Sequence, residues 1–64
     1  MKVQISYQEV DNYGMKLAEL FAARYICHGM SEDEKVVRFH MEEHGEYFIS
    51  EIPLIDVYHN KPIF

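Results

Sequence analysis

The chain has little of what stabilises many small proteins covalently. Its single cysteine, Cys27, cannot form a disulfide within one molecule. A lone cysteine argues against the small secreted scaffolds that depend on disulfides, and it favours a reducing, cytoplasmic setting. Since a core of 64 residues supplies little net stability, the stabilisers that remain are a metal ion or a second subunit.

The sequence also lacks the motifs of common enzymes and cofactor sites. Gly14, Gly29 and Gly45 stand too far apart to form a phosphate-binding loop, and the chain has no threonine and no serine in a nucleophile motif. So short a chain is poorly able to form a pocket with convergent polar groups. We therefore expect a protein that is not an enzyme and has no cofactor. Without a long apolar run, neither a secretory signal nor a membrane span is expected.

The negative charge is confined to one part of the chain. Between residues 30 and 51, seven acidic side chains face two basic ones, which accounts for the whole net charge of -5. An acidic protein is repelled by nucleic-acid backbones, so direct DNA or RNA binding is not expected. The same charge favours a basic surface on a larger protein partner. The residues predicted to bind that partner are Glu32, Asp33, Glu34, Glu42 and Glu43.

The first half of the chain reads as a strand followed by a helix. Lys2–Val10 alternates apolar and polar residues, which predicts a half-buried strand. Asp11 and Asn12 are capping residues, and the segment Tyr13–His28 then has helical periodicity. Gly29 is predicted to end this helix, as glycine commonly does.

The predicted helix has an apolar arc wider than the roughly 100° stripe of a one-sided surface helix. Its centre is expected to lie over a sheet. The apolar residues on its flanks would then be left uncovered. We predict self-association through these flanking residues, namely Leu20, Ile26 and Cys27.

The next segment, residues 32–44, permits two interpretations. Ser31 and Glu34 fit a capping box, and His44 suits the end of a helix dipole. However, apolar residues alternate with polar ones from Val37 to Met41, which favours a strand and makes His44-Gly45 a hairpin turn. We predict a helix, with the strand as the alternative.

The remainder completes an α+β prediction. Glu46–Ile52 is predicted as a strand, Pro53 interrupts it or marks a sheet edge, and Leu54–Tyr58 is predicted to continue as extended chain. The fold class is a single α+β domain over residues 1–64, with an antiparallel sheet of two or three strands covered by the 13–28 helix. Pairing of an exposed sheet edge across a two-fold axis would give a homodimer.

The best candidate for chemistry is the run from His40 to His44. Its letters match the H-x-x-E-H pattern of one class of zinc proteases, but the chain is too short to build a protease cleft. On a helix, His40 and His44 would share a face, whereas on a strand both would share a face with Glu42. The pair His40 and His44 is therefore the predicted metal site.

These observations predict a small acidic protein-binding regulator or inhibitor. It would be non-enzymatic, cytoplasmic and homodimeric, and it would act on a larger protein partner. One alternative is a small metal-binding protein that uses His40 and His44. Another is an accessory subunit with a structural role alone.

Overall fold

A computed structural model describes residues 5–60 of the chain. One helix is followed by a three-stranded antiparallel sheet and a second, short helix, with the strands in the order β1-β2-β3. The elements are α1 (Tyr7–Leu20), β1 (Arg24–Met30), β2 (Val36–Glu43), β3 (Glu46–Pro53) and α2 (Leu54–Tyr58). The predicted α+β class and antiparallel sheet are confirmed, whereas several element boundaries differ.

Helix α1 begins within the segment predicted as a strand, Lys2–Val10. Residues 2–4 of that segment lie outside the described part of the chain, and from Tyr7 onward the backbone is helical. The cause is Ser6, whose Oγ accepts a hydrogen bond from the Glu9 N–H at 3.2 Å. Ser6 and Glu9 have the S-x-x-E spacing of a capping box, and this local signal prevails over the alternation of apolar residues.

The predicted helix Tyr13–His28 is wrong at both ends, because α1 finishes at Leu20. The chain then turns through Ala22, which adopts a left-handed backbone conformation with φ of 54°. Beyond it, Arg24–Met30 pairs with β2 as a strand, and Gly29 lies within that strand instead of ending a helix. β-branched and aromatic residues gain more here by pairing in the sheet than by extending an amphipathic helix.

The helix predicted over residues 32–44 is likewise wrong, and the alternative of a strand is confirmed over Val36–Glu43. Ser31 does not cap a helix. Its Oγ donates to Asp33 Oδ1 at 2.6 Å and accepts from the Val36 N–H at 3.1 Å. Asp33 also accepts from the Lys35 N–H at 3.1 Å, so both polar side chains serve the β1–β2 loop.

The turn between β2 and β3 agrees with the strand interpretation. Glu43 pairs with Glu46, which leaves His44 and Gly45 as a two-residue loop with φ of 51° and 82°. Positive φ at both loop residues is the geometry of a type I′ turn. Strand β3 agrees with the predicted strand, but Leu54–Tyr58 is helical and not extended.

The core lies between α1 and one face of the sheet. Gly14 of α1 brings the helix close to the sheet, because a Cβ there would lie 2.5 Å from Tyr25 Cε1 and 2.8 Å from Phe39 Cδ1. Along β2, alternate residues point into this layer, and the opposite, outer face of the sheet is covered by no element within residues 5–60. The buried core side chains are Val10, Tyr13, Leu17, Ala18, Val37, Phe39, Met41 and Val57.

Candidate functional site

An open groove runs between α1 and β1 and is the principal candidate site. Its helical wall consists of Tyr7, Asp11 and Met15, which are spaced four residues apart and so lie in one stripe of α1. Its other wall is β1 from Tyr25 to Met30. The groove has a volume of about 560 Å³.

Three polar side chains meet in this groove. The Tyr25 hydroxyl donates to Asp11 Oδ1 at 2.6 Å, and His28 Nδ1 lies 2.7 Å from the same oxygen. The hydrogen bond from Tyr25, followed by that from His28, holds the pKa of Asp11 below its usual value. Burial and the neighbouring carboxylate raise the pKa of Tyr25, so the phenol stays a proton donor at neutral pH.

The cluster of Asp11, Tyr25 and His28 links two elements of the fold through hydrogen bonds. Asp11 lies on α1 and its two partners lie on β1, so the carboxylate joins the helix to the edge of the sheet. Cys27 pairs in register with His40, and His28 with Phe39, so the thiol and imidazole point to opposite faces of the sheet. Cys27 therefore does not lie beside His28 as a nucleophile beside its base.

The rim of the groove is apolar and exposed. The exposed fractions are 79% for Tyr7, 49% for Met15, 41% for Ile26 and 37% for Met30. Within residues 5–60, ten large hydrophobic residues are exposed against eight in the core, so much of the apolar surface faces outward. We call Tyr7, Met15, Ile26 and Met30 the apolar rim. Its Met30 end leads directly into the acidic loop between β1 and β2.

The predicted partner-binding carboxylates form two groups. Glu32, Asp33 and Glu34 lie in the β1–β2 loop, next to the apolar rim. Glu42 and Glu43 lie at the other end of β2, roughly 23 Å away at about 3.3 Å per residue. Within the loop, Asp33 is engaged by Ser31 and Lys35, and these hydrogen bonds lower the pKa of its carboxyl.

Glu42, in the second group, has a basic neighbour. Its Oε1 lies 3.3 Å from Nη2 of Arg24 across the β1–β2 pair. The charge of this carboxylate is thus partly balanced on the protein itself. The loop between β1 and β2 also lies beside the apolar rim, which makes it the stronger candidate for a basic partner.

The residues predicted for self-association are all exposed, but Leu20 lies apart from Ile26 and Cys27. Leu20 ends α1 and lies roughly 140° around the helix from Met15, at about 100° per residue. Ile26 and Cys27 both border the groove, and the pairing of Cys27 with His40 directs its exposed thiol toward the outer face of the sheet. Self-association through these three residues stays a prediction.

The structure separates the two histidines of the predicted metal site. His40 lies in β2, where Nδ1 is hydrogen-bonded to the Tyr47 hydroxyl across the β2–β3 pair. His44 lies in the turn, with Nε2 3.9 Å from Glu43. Within residues 5–60, no group of three or more histidine, cysteine or acidic side chains is arranged to hold a metal ion.

Sequence reasoning missed the groove and its Asp11, Tyr25 and His28 cluster. The signal that could have found the helical wall was the S-x-x-E spacing of Ser6 and Glu9, which begins a helix at Tyr7. The contacts of Tyr25 and His28 have no local signal, because they depend on folding β1 against α1.

Comparisons with known proteins found no relative of this chain. No protein family, no curated protein and no solved structure matches the chain. Neither helix within residues 5–60 has the length and apolar character needed to cross a membrane. Function is therefore inferred from the groove and the loop beside it.

Proposed function

We propose that this chain is a small, non-enzymatic regulator that binds a larger protein and acts as a homodimer. The observation that carries the proposal is the apolar rim around the α1–β1 groove, which leads into the acidic β1–β2 loop. Exposed aromatic and methionine side chains next to charged groups are typical of protein-binding surfaces. The solitary, unpaired thiol of Cys27 is compatible with a reducing, cytoplasmic setting.

The proposed partner segment has two chemical features. Apolar side chains would lie against Met15, Ile26 and Met30, and basic side chains would follow at the end of the groove. There they would meet Glu32, which is exposed in the β1–β2 loop. Opposite charges across the rim would speed association and fix the direction of the bound segment.

A binding role also fits the polar cluster in the groove. Two donors, Tyr25 and His28, converge on one oxygen of Asp11, so this carboxylate is held in place by the fold. Such a link keeps the two walls of the groove at a fixed spacing, and a fixed groove binds with a smaller loss of conformational entropy.

Affinity capture from the native cells, quantified by mass spectrometry, tests the proposal. We expect Met15→Asp and Ile26→Asp each to reduce recovery of the partner by about tenfold, because each buries a charge at the interface. Ile55→Asp is the matched control, since Ile55 is similarly exposed at 47% but lies on α2. Recovery of the same partners in equal amounts by all four proteins would refute the proposed surface.

The acidic loop is tested separately. Glu32→Lys should weaken capture and reduce its dependence on salt, because one attraction to a basic partner becomes a repulsion. Glu46→Lys makes the same charge change at the other end of the sheet and should leave capture intact. Equal losses for both variants would mean that net charge, and not the loop, governs binding.

A further inference from the structure

The two edges of the sheet differ in regularity. Within residues 5–60, β1 and β3 each pair with β2 alone, so each has an edge without a partner strand. The register of β1 shifts between Tyr25 and Cys27, which marks a bulge, and bulges hinder pairing with another strand. Strand β3 pairs with β2 without interruption from Glu46 to Pro53. Its edge is thus the regular one.

The direction of the β3 backbone groups follows from the hairpin. Glu43 and Glu46 flank a two-residue loop and form a hydrogen-bonded pair, after which such pairs alternate along the ladder. The Leu54 N–H donates to the Lys35 carbonyl at 2.8 Å, which is the continuation of that alternation. The N–H and C=O groups of Tyr47, Ile49 and Glu51 therefore point away from β2, toward the open edge.

We infer that two copies of this chain pair through β3, antiparallel across a two-fold axis at Ile49, to form one continuous six-stranded sheet. The inference rests on the homodimer in the proposed function and names the surface that forms it. In this register Ile49 pairs with Ile49 of the partner subunit, and Tyr47 pairs with the partner's Glu51. Every outward N–H and C=O of the three residues is then satisfied.

Neighbouring registers pair the outward backbone groups of β3 less favourably. Moving the axis to Phe48 places Glu51 opposite the partner's Gly45, in the turn. Moving it to Ser50 places Tyr47 opposite the partner's Pro53, which has no N–H to donate. The register centred on Ile49 uses residues 46–52 and leaves Pro53 just outside the paired segment.

The side chains in this register are compatible with a two-fold axis. Ile49, which is 44% exposed, meets its own copy as an apolar pair on the outer face of the sheet. Glu51 lies opposite the partner's Tyr47, so the two Glu51 carboxylates stay apart. Oε2 of Glu51 also lies 3.5 Å from Nε of Arg38 in its own chain, and this ion pair partly balances the charge of Glu51 beside the interface.

Sedimentation equilibrium over a range of concentrations tests the inference. The unaltered chain should have the mass of a dimer, and Ile49→Lys should raise the dimer dissociation constant by about tenfold or more, because two ammonium groups face each other. Ile55→Lys, an exposed change on α2, is the control and should dimerise normally. A monomer at high micromolar concentration, or equal dimerisation of Ile49→Lys, would overturn the inference.

A second variant guards against misfolding. Ile49→Pro removes an N–H that points away from β2, so the β2–β3 ladder is kept while the pairing between copies is blocked. Circular dichroism should show a folded chain, and sedimentation should show a monomer. A folded Ile49→Pro dimer of unchanged affinity would count against pairing through β3.

Cross-linking checks the register. In a Cys27→Ser background, Ile49→Cys should form a disulfide between copies on mild oxidation, because paired Cα atoms lie about 5.5 Å apart. Glu51→Cys should not, since the two Cα atoms would be roughly 14 Å apart. Equal cross-linking at both positions would refute the register.

Two further results separate this inference from the proposed partner surface. Met15→Asp and Ile26→Asp should keep the mass of a dimer, because both residues border the α1–β1 groove, at the opposite edge of the sheet from β3. Loss of the dimer in Ile26→Asp would instead favour the self-association predicted through Leu20, Ile26 and Cys27. A monomeric chain that still captures its partner would overturn the β3 pairing and the homodimer, and would leave the partner surface standing. A β3-paired dimer that captures nothing would overturn the partner surface alone.

Discussion

The Tyr25 hydroxyl donates a hydrogen bond to Oδ1 of Asp11 at 2.6 Å and so connects β1 to α1. The two residues are 14 positions apart in the chain, and the bond spans the groove that we propose as the partner-binding site. His28 reaches the same oxygen at 2.7 Å, and Tyr7 packs against the His28 ring with centroids 5.6 Å apart. One carboxylate thus organises both walls of the groove.

Acid should weaken this connection. The folded pKa of Asp11 lies below its unfolded value, so the ionised carboxylate contributes stability above the unfolded pKa, near 3.9. That contribution is lost as the pH falls through the folded pKa. We expect the free energy of unfolding, measured by urea denaturation, to fall more steeply below about pH 4 in the unaltered chain than in Asp11→Asn.

Tyr25→Phe isolates the hydrogen bond that lowers the pKa of Asp11 most. It should destabilise the chain by about 1 kcal/mol at neutral pH and make the acid dependence shallower. Tyr7→Phe is the control, because Tyr7 is 79% exposed, and it should change both quantities little. Identical acid profiles for the unaltered chain, Asp11→Asn and Tyr25→Phe would contradict the assigned role of the carboxylate.

Gly14→Ala should destabilise the fold even though alanine is the better helix former. The added Cβ would lie 2.5 Å from a ring carbon of Tyr25 and 2.8 Å from one of Phe39, so α1 has to move away from the sheet. Overpacking of this kind typically destabilises by about 1–3 kcal/mol. Urea denaturation should report this loss. Gly29→Ala is the control, because the new Cβ would approach only His40 Nε2, at 4.0 Å, and stability should change little.

The sequence supported the class of fold better than the positions of its elements. The alternation of Val37, Phe39 and Met41 with polar residues was the correct guide to β2, because all three side chains are buried against α1. The capping pattern at Ser31 was misleading, since the same hydroxyl and Asp33 also build a tight loop. Local hydrogen-bond signals of this kind fit either structure, and pairing with β1 and β3 decides between them.

The candidate site was less accessible to sequence reasoning for a related reason. The predicted helix Tyr13–His28 would place Tyr25 and His28 on one helical surface, whereas the turn at Ala22 reverses the chain and brings both to Asp11. Contacts between residues so far apart follow from the tertiary fold. The exposure of Leu20, Ile26 and Cys27 agrees with the expectation of excess apolar surface, although they occupy two elements instead of one predicted helix.

Substitutions in the β2–β3 turn should change stability according to how well each residue type tolerates a positive φ. Gly45→Ala should destabilise by about 1–2 kcal/mol, because φ is 82° there and a side chain disfavours left-handed backbone. His44→Asn should instead stabilise by a few tenths of a kcal/mol, since asparagine is favoured at this turn position. Thermal and urea unfolding measure both changes. A stabilising effect of Gly45→Ala, or a clear loss of stability in His44→Asn, would contradict the type I′ assignment.

Cys27 should react readily in the folded protein. Its side chain is exposed, and its register with His40 places it toward the outer face of the sheet. The β3 pairing lies at the other edge of the sheet, so a dimer formed that way leaves the thiol accessible. Ellman's reagent should therefore modify one thiol per chain at a rate close to that of the urea-unfolded chain. Ile49→Lys should react at the same rate as the unaltered chain. If the Cys27 thiol were instead strongly protected in the unaltered chain and reactive in Ile49→Lys, dimerisation would cover the β1 side of the sheet.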